Sequence, residues 1–414
     1  MRLKAMAGWA VRIPFVEAFR DAARDRAWYE AVVVRVEDES GEVGYGEGAP
    51  RRSAGESPEE ALRRVADGLW PALADTELPE IQTAEDIIAL GQLLQASDRS
   101  PAGIGAGSCA LELAILDCGL RTRNRCMVNV LPPARQRVVY GGLIAATTEP
   151  AGALAQVKQL KAIGLRAFKL EVGLPDDIER IRAVRDAIGL EASLRLDARG
   201  AWTAPRALDV LWAVAACGIE AVEQPLPPGS AAELARFKRE CPVPVMADES
   251  LVTPADAEAL IAAGAVDFFN IGVSKCGGLS GALQIVRMAR RHGIRYQIGS
   301  QVGETAVLSA AGRHLAAYCE DVAFVEGSCG TLLLSDDISP DGIRFGHRGE
   351  AGVLLGKGLG VRVLDERLQK YAVKHVTRMV SQVRALKSGG LPRPKVLPPV
   401  RKQSGDSTGS EPGS

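Results

Sequence analysis

The spacing of apolar positions divides the chain into two textures. From Ala27 to Glu37 it includes the β-branched run AVVVRVE; with a polar turn at Asp38 to Glu42 and the return VGYGEG, this predicts a β-hairpin. Ser57 to Leu73 carries apolar residues at helical spacing behind a Ser-Pro-Glu-Glu start, the signature of a capped helix, and Ala106 to Leu120 is a second, strongly apolar helix. Residues 1–130 therefore read as an α+β unit. From residue 131 to about 350 the pattern becomes a beat of short apolar strand, polar turn and amphipathic helix ending near glycine. The predicted strands are Val138 to Leu143, Ala167 to Val172, Ser193 to Asp197, Ile219 to Glu223, Val243 to Ala247, Asp267 to Ile271, Ile294 to Ile298 and Asp321 to Val325. Eight strands alternating with helices predict an α/β fold, a (β/α)8-type barrel with an N-terminal α+β capping domain. A doubly wound open sheet carries the same alternation, so strand count alone does not choose between them. Residues 351–387, with short apolar pieces and glycines between Gly352 and Leu368, fit a segment returning to complete the cap. Residues 388–414, rich in Pro, Ser, Gly and Lys, predict a disordered tail.

Composition narrows the function classes. Among 414 residues, 47% hydrophobic and 24% charged residues allow a sizeable core. Lys and Arg number 50 against 51 for Asp and Glu, which gives no pull toward nucleic acid or an anionic membrane. No apolar stretch is long enough to span a bilayer. The eight cysteines include no C-x-x-C pair and follow no secretory leader, so they read as reduced thiols of a cytoplasmic protein. A small-molecule ligand is the expectation that remains.

Barrel enzymes carry their chemistry at the C-terminal ends of the strands. Here SLRLD ends in Asp197, IEAVE in Glu223 and VPVMAD in Asp248, three acids closing three consecutive strands. Such acids can also cap helices or meet basic neighbours. In register above one barrel, they would instead offer the oxygen ligands that hard divalent cations take. Lys169 lies within the second strand, AFKLEVG, and Lys275 follows the sixth in NIGVSKCGG. A lysine beside a metal site can be neutral at working pH and act as a base.

Taken together, VEQP at 222–225, ADES at 247–250, SKCGGLSGA at 274–282 and GYGEGAPR at 44–51 resemble the muconate-lactonizing and dipeptide-epimerase branch of the enolase superfamily, over about residues 10 to 370. The resemblance implies that Asp197, Glu223 and Asp248 hold Mg2+, with Mn2+ as the alternative ion, and that Lys275 is an acid/base on one face of the substrate. It also implies that loops near residues 15 to 26 and 50 to 56 set specificity, and that the protein is a homo-oligomer. The expected reaction is abstraction of an α-proton from a carboxylate through a metal-stabilised enolate. A racemase or epimerase of an amino-acid derivative or dipeptide leads; a cycloisomerase or dehydratase (lyase), or an inactive metal-binding barrel, are the alternatives.

Two departures bear on that reading. The family's second strand usually carries K-x-K, but this chain has Lys169 and Glu171. Residues two apart on a strand share a side, so Glu171 is directed toward the same pocket as Lys169. Glu171 is a replacement base, a partner for a cationic substrate group, or the mark of a lost base. The family often has D-x-N at the third strand, where this chain has Asp197, Ala198 and Arg199; a salt bridge from Arg199 to Glu171 follows as a hypothesis. The seventh strand runs into GSQVGET, which places Ser300, Gln301 and Glu304 at the mouth. No histidine lies there, which disfavours the mandelate-racemase branch.

Overall fold

The computed structural model describes residues 1–20, 25–98, 105–146 and 150–387. The predicted tail, 388–414, lies outside the described residues, as do 21–24 of the first predicted specificity loop.

Eight parallel strands pair in chain order: Gly142–Ile144, Ala167–Glu171, Ser193–Asp197, Val222–Glu223, Val245–Ala247, Phe268–Gly272, Arg295–Gly299 and Phe324–Val325. The N–H of Gly141 donates to the carbonyl of Val325 at 3.0 Å and brings the eighth strand back to the first. Helices such as Asp177–Ile188 and Leu279–His292 connect consecutive strands on the outside. The predicted first strand divides in two. Arg137–Val139 pairs antiparallel with Glu350–Gly352, while the barrel strand begins only at Gly142. The last strand is also shorter than predicted, because only Phe324 and Val325 pair with Gln297 and Ile298.

Alternation along these strands decides what enters the barrel. Ala221, Met246 and Phe268, with Phe324 packed on them, form an apolar plug separate from the main core. Two residues further along the same four strand segments come Glu223, Asp248, Asn270 and Glu326, which the period of two points the same way.

The cap is a four-stranded antiparallel sheet ordered Ala372–Met379, Leu3–Arg20, Asp25–Asp38, Val43–Gly48. Leu3–Arg20 was not anticipated as a strand. The returning partner also starts later than the apolar pieces at 352–368 suggested: Asp365–Tyr371 is a short helix, and Ala372–Met379 supplies the strand. The predicted capped helix forms with Ser57 accepting from the Glu60 N–H, but it widens into a π turn over Arg64–Leu69 ahead of Pro71, which cannot donate to the preceding turn. No helix among the described residues is long and apolar enough to cross a membrane. All eight cysteines are free thiols.

Three glycines explain how closely the cap sheet meets helix Ala106–Thr122. Gly44, Gly46 and Gly48 alternate along one strand face, and a Cβ on them would overlap the backbone of Cys118, Ala110 and Ala106 respectively. With Ala114, which both Gly44 and Gly46 also approach, the helix residues are spaced by four, so one helix stripe lies directly on a side-chain-free strand face. Gly46→Ala should therefore cost about 3 kcal/mol or more, the upper range for overpacking, read as a lowered denaturation midpoint.

Cap carboxylates also seat on barrel helices. Glu112, fully buried, accepts from the Ser280 N–H at 3.0 Å and pairs with the Ser280 hydroxyl at the start of Leu279–His292. Glu47 accepts from the N–H groups of Thr305 (3.1 Å) and Leu308 (2.8 Å) and from the hydroxyls of Thr305 (2.6 Å) and Tyr29 (2.7 Å), at the start of Ala306–Tyr318. Burial pushes the Glu112 carboxyl up to about 7 from 4.5. The folded chain then holds a proton that the unfolded chain releases, so this group's contribution to stability is present below about pH 4.5 and is lost as pH rises toward 7. Glu112→Gln should remove that slope, worth about 3 kcal/mol across the interval, when urea midpoints of both proteins are compared at pH 5 and pH 8.

Candidate active site

Strand register sets the acids side by side. Glu171 pairs with Asp197 and Asp197 with Glu223 across neighbouring strands, and Asp248 stands two residues beyond Met246, the register partner of Glu223. They meet a cavity of about 450 Å3 between barrel and cap. Lys169, Asp197, Glu223, Asp248, Lys275, Arg199, Ser300 and Glu304 all line it; of the predicted site residues only Glu171 does not.

Lys169 is buried at the centre of the acids. Its Nζ lies 2.7 Å from Glu326, 3.2 Å from Asp197 and 3.3 Å from Glu223. Burial alone would lower its pKa, but the carboxylates of Glu223, Glu326 and Asp197 outweigh it and hold the ammonium well above its ordinary value. Glu223 also accepts from Asn270 Nδ2 at 2.6 Å and Gln297 Nε2 at 3.1 Å. Burial, then the charge of Asp197, drives its carboxyl well up. Lys275 lies past the sixth strand and turns back: its Nζ donates to Asp248 Oδ1 at 2.5 Å, the Asp248 carbonyl at 2.7 Å and the Asn270 carbonyl at 2.8 Å. At Asp248 burial opposes ionisation, but Lys275 prevails and the carboxyl is lowered.

Glu171 is fully buried and has both oxygens engaged. Arg199 donates to Oε1 from Nε at 2.8 Å and approaches it with Nη2 at 2.6 Å, and the Ala146 N–H donates to Oε2 at 3.0 Å. The hypothesised pair forms, and it places the guanidinium rather than the carboxylate on the cavity wall. The cation carried by the neighbouring strand thus stands between the Glu171 carboxylate and the cavity. Arg199 takes this position with φ 47°, a left-handed backbone unusual for a side-chain-bearing residue. Glu304 is buried, accepts from the Gln301 N–H at 2.6 Å, and has its carboxyl pushed well up by burial.

Sequence reading passed over several members of the site. Asn270 and Glu326 stand two residues past the plug residues Phe268 and Phe324, so the inward alternation that marks Glu223 marks them as well. Arg195, two before Asp197, bonds Glu326 at 2.8 Å and pairs with Gln297. Glu249, beside Asp248, is raised to about 8 by burial and by Asp248 and Asp197. From the cap, Arg26, Glu30, Pro50, Arg51 and Arg52 complete the wall, so the 50–56 loop does reach the cavity.

Asp197, Glu223 and Asp248 form a donor set of hard oxygens at adjoining strand ends, the chemistry that suits a hard divalent cation. Among the described residues no three ligating side chains stand close enough to surround an ion as they are; Lys169, Lys275 and the two amides take up the oxygens instead. Buried, mutually repelling acids gathered between two lysines fit a cation in chemical kind.

The family described as Enolase C-terminal domain-like matches residues 152–367. An N-succinyl-L-Arg/Lys racemase of Bacillus cereus is 26% identical over 90% of this chain and 98% of its own length. A muconate cycloisomerase of Rhodococcus opacus is 29% identical over 88% of this chain and 96% of its own. The structure of a dipeptide epimerase from Cytophaga hutchinsonii, complexed with Mg and the dipeptide D-Ala-L-Val, superposes with a TM-score of 0.82 at 26% identity, covering 91% of this chain and all of that one.

Proposed function

The chain belongs to the enolase superfamily, and from that membership we propose that it is an isomerase that removes the α-proton of a carboxylate substrate, an amino-acid derivative or dipeptide, with Lys275 as acid/base. The observation that carries this reading is that Lys275, Lys169 and the acids Asp197, Glu223 and Asp248 all line one cavity. We assign those three acids to Mg2+, supported by the hard-oxygen donor set and by the Mg-bound relative. When bound, the ion supplies positive charge beside the substrate carboxylate, offsetting the second negative charge that grows as the proton leaves. The eight free thiols support a reducing, cytoplasmic setting.

The protein's own groups divide the work by position. The second and sixth strands are four apart in an eight-stranded barrel, so Lys169 and Lys275 approach from opposite sides of the axis. Lys275 Nζ is positioned by three oxygens, Asp248 Oδ1 and the backbone carbonyls of Asp248 and Asn270, to serve as the acid/base of its side. Asn270 and Gln297 keep Glu223 oriented from behind. For inversion, Lys169 must serve the second face, partnered by Glu326, because Glu171 is closed off.

That closure favours a second reading, in which protons move on the Lys275 face alone and the outcome is cycloisomerisation or elimination. In D2O with Mg2+, a panel of N-acylated amino acids and dipeptides should show α-deuterium incorporation by mass spectrometry. Lys275→Ala should lower it by about 100- to 10,000-fold, whereas Glu171→Gln should stay within about tenfold of the parent, since proton transfer does not pass through it. Exchange that survives Lys275→Ala sinks the assignment. Interconversion of both configurations supports the two-faced reading, and exchange of one configuration without interconversion supports the one-faced reading. Binding of Mg2+ with no exchange from any panel member would favour a barrel that recognises ligands without turning them over.

A further inference from the structure

The loop that carries Lys275 partitions two cavities. Lys275 lines the active cavity, and the next two residues, Cys276 and Gly277, line a second one of about 280 Å3 between the cap helices Ala84–Ser97 and Ala106–Thr122 and the start of barrel helix Leu279–His292. Ser108, Glu112 and Ser280 line this second cavity as well. The surroundings are fitted to the Glu112 carboxyl. A Cβ on Gly278 would overlap it, and a Cβ on Gly91 would overlap the Ser280 hydroxyl with which it pairs. Gly278 also has φ 134°, a conformation that side-chain-bearing residues rarely adopt.

Gly278 is the N-cap of Leu279–His292 and has no side chain with which to accept from the first turn. The acceptor comes from the cap domain instead: Glu112 takes the Ser280 N–H at 3.0 Å and the Ser280 hydroxyl, doing from a distant helix what an N-cap side chain does in its own. The other end of the loop is tied to the cap by the Ala49 N–H, which donates to Ser274 Oγ at 2.8 Å, and by the Ser274 hydroxyl, which donates to the Ala49 carbonyl at 3.1 Å. Between these ties the turn closes on itself. The Cys276 N–H donates to the Gly272 carbonyl at 2.9 Å and the Gly278 N–H to the Val273 carbonyl at 2.9 Å. Lys275 thus stands in a compact turn held by the cap at both ends, and the hold at the helix end is a titratable group.

No cation balances that group. Among the described residues Glu112 meets no Lys or Arg at ion-pair distance; the titratable groups around it are the thiols of Cys109 and Cys276 and, across the cavity, Asp98, which is paired with Arg64. Burial outweighs the hydrogen bonds from Ser280 and Leu279, so the carboxyl is raised to about 7. A charge placed there is poorly compensated and favours entry of water from the adjoining cavity. Ionisation therefore loosens the seat of the helix.

Resting on the reading that Lys275 is the acid/base, we propose that Glu112 is a positioning residue for it: from outside the active cavity it fixes the start of Leu279–His292, and with it the Lys275 loop, and proton transfer at Lys275 declines as the Glu112 carboxyl ionises and that hold relaxes. Glu112 itself touches neither the substrate nor the ion.

The test reads the loop and the reaction separately in the full-length protein with Mg2+. Amide hydrogen exchange, followed by mass spectrometry as protection factors for residues 272–282, should show the parent losing about tenfold in protection between pH 6 and pH 8, while Glu112→Gln, which keeps the shape and cannot ionise, holds it. Glu112→Ala should lack that protection at both pH values, with the cap strand Asp25–Asp38 still protected as the check that the chain is folded. In the α-deuterium assay, on the panel compounds that the parent exchanges, Glu112→Ala should lower kcat by about tenfold or more with KM within about twofold, and Glu112→Gln should recover most of that loss. The parent's fall in kcat above pH 7 should be absent from Glu112→Gln. If Glu112→Ala does not fold, the parent and Glu112→Gln profiles decide alone. Loop protection indifferent to Glu112, a loss confined to KM, or a loss of protection spread evenly over the chain overturns the proposal. Loop protection that follows Glu112 while kcat does not overturns it and leaves the Lys275 reading standing; loop protection that follows Glu112 with no exchange by any of the proteins removes that reading and the proposal with it.

Discussion

Everything at the barrel mouth follows from the two-residue alternation of parallel strands around a closed axis. Once Ala221, Met246, Phe268 and Phe324 fill the interior, the next inward residues of those segments are Glu223, Asp248, Asn270 and Glu326. Three of these four are acids, with Asp197 beside them, in a region where an uncompensated charge is costly. Compensation is correspondingly dense: Lys169 bridges three carboxylates, Arg195 bonds Glu326, and Asn270 and Gln297 supply amide donors to Glu223. Lys169 is as much a condition for burying the acids as the acids are for holding it protonated.

The cap meets the barrel by a related solution. A barrel helix begins with N–H groups that need acceptors, and its N-terminus favours negative charge. Glu112 and Glu47 come from the cap and supply both to the helices that follow the sixth and seventh strands. Those helices leave the loops that carry Lys275 and Ser300 to Glu304. Ser274 adds a direct tie to Ala49. Seating the cap and fixing the edge of the active cavity are therefore one set of contacts, and the glycine face of Val43–Gly48 brings helix Ala106–Thr122 close enough to deliver Glu112.

Much of this was legible in the residues, and what was not has identifiable causes. Strand ends marked by a single acid, as in SLRLD and IEAVE, could be placed because the apolar run and the polar stop coincide. Asn270 escaped because it is followed by more apolar residues in the same strand. Glu326 escaped because its strand pairs over only two residues and closes in a glycine-rich loop. The long Leu3–Arg20 strand is interrupted by charges and Pro14 and shifts register beyond that residue, so no clean alternation exposes it. Its partner Ala372–Met379 contains Lys374, His375 and Arg378, reading as polar because it is an edge strand. Long-range pairing across more than 350 residues leaves no local trace at all.

The pair Glu171 and Arg199 shows why position along a strand does not settle chemistry. Both residues are directed to the mouth by their strands, but Arg199 lies two residues past Asp197 and must fold back to reach Glu171. The left-handed conformation at φ 47° makes that turn, at a strain of about 1–3 kcal/mol that the hydrogen bond and ion pair to a buried carboxylate help offset. What reaches the cavity is positive charge, as it would be with a protonated lysine in the same place. A guanidinium, however, keeps its protons at any working pH. The part of the cavity wall that Arg199 lines thus carries a fixed positive charge in place of the carboxylate its strand neighbour would have offered.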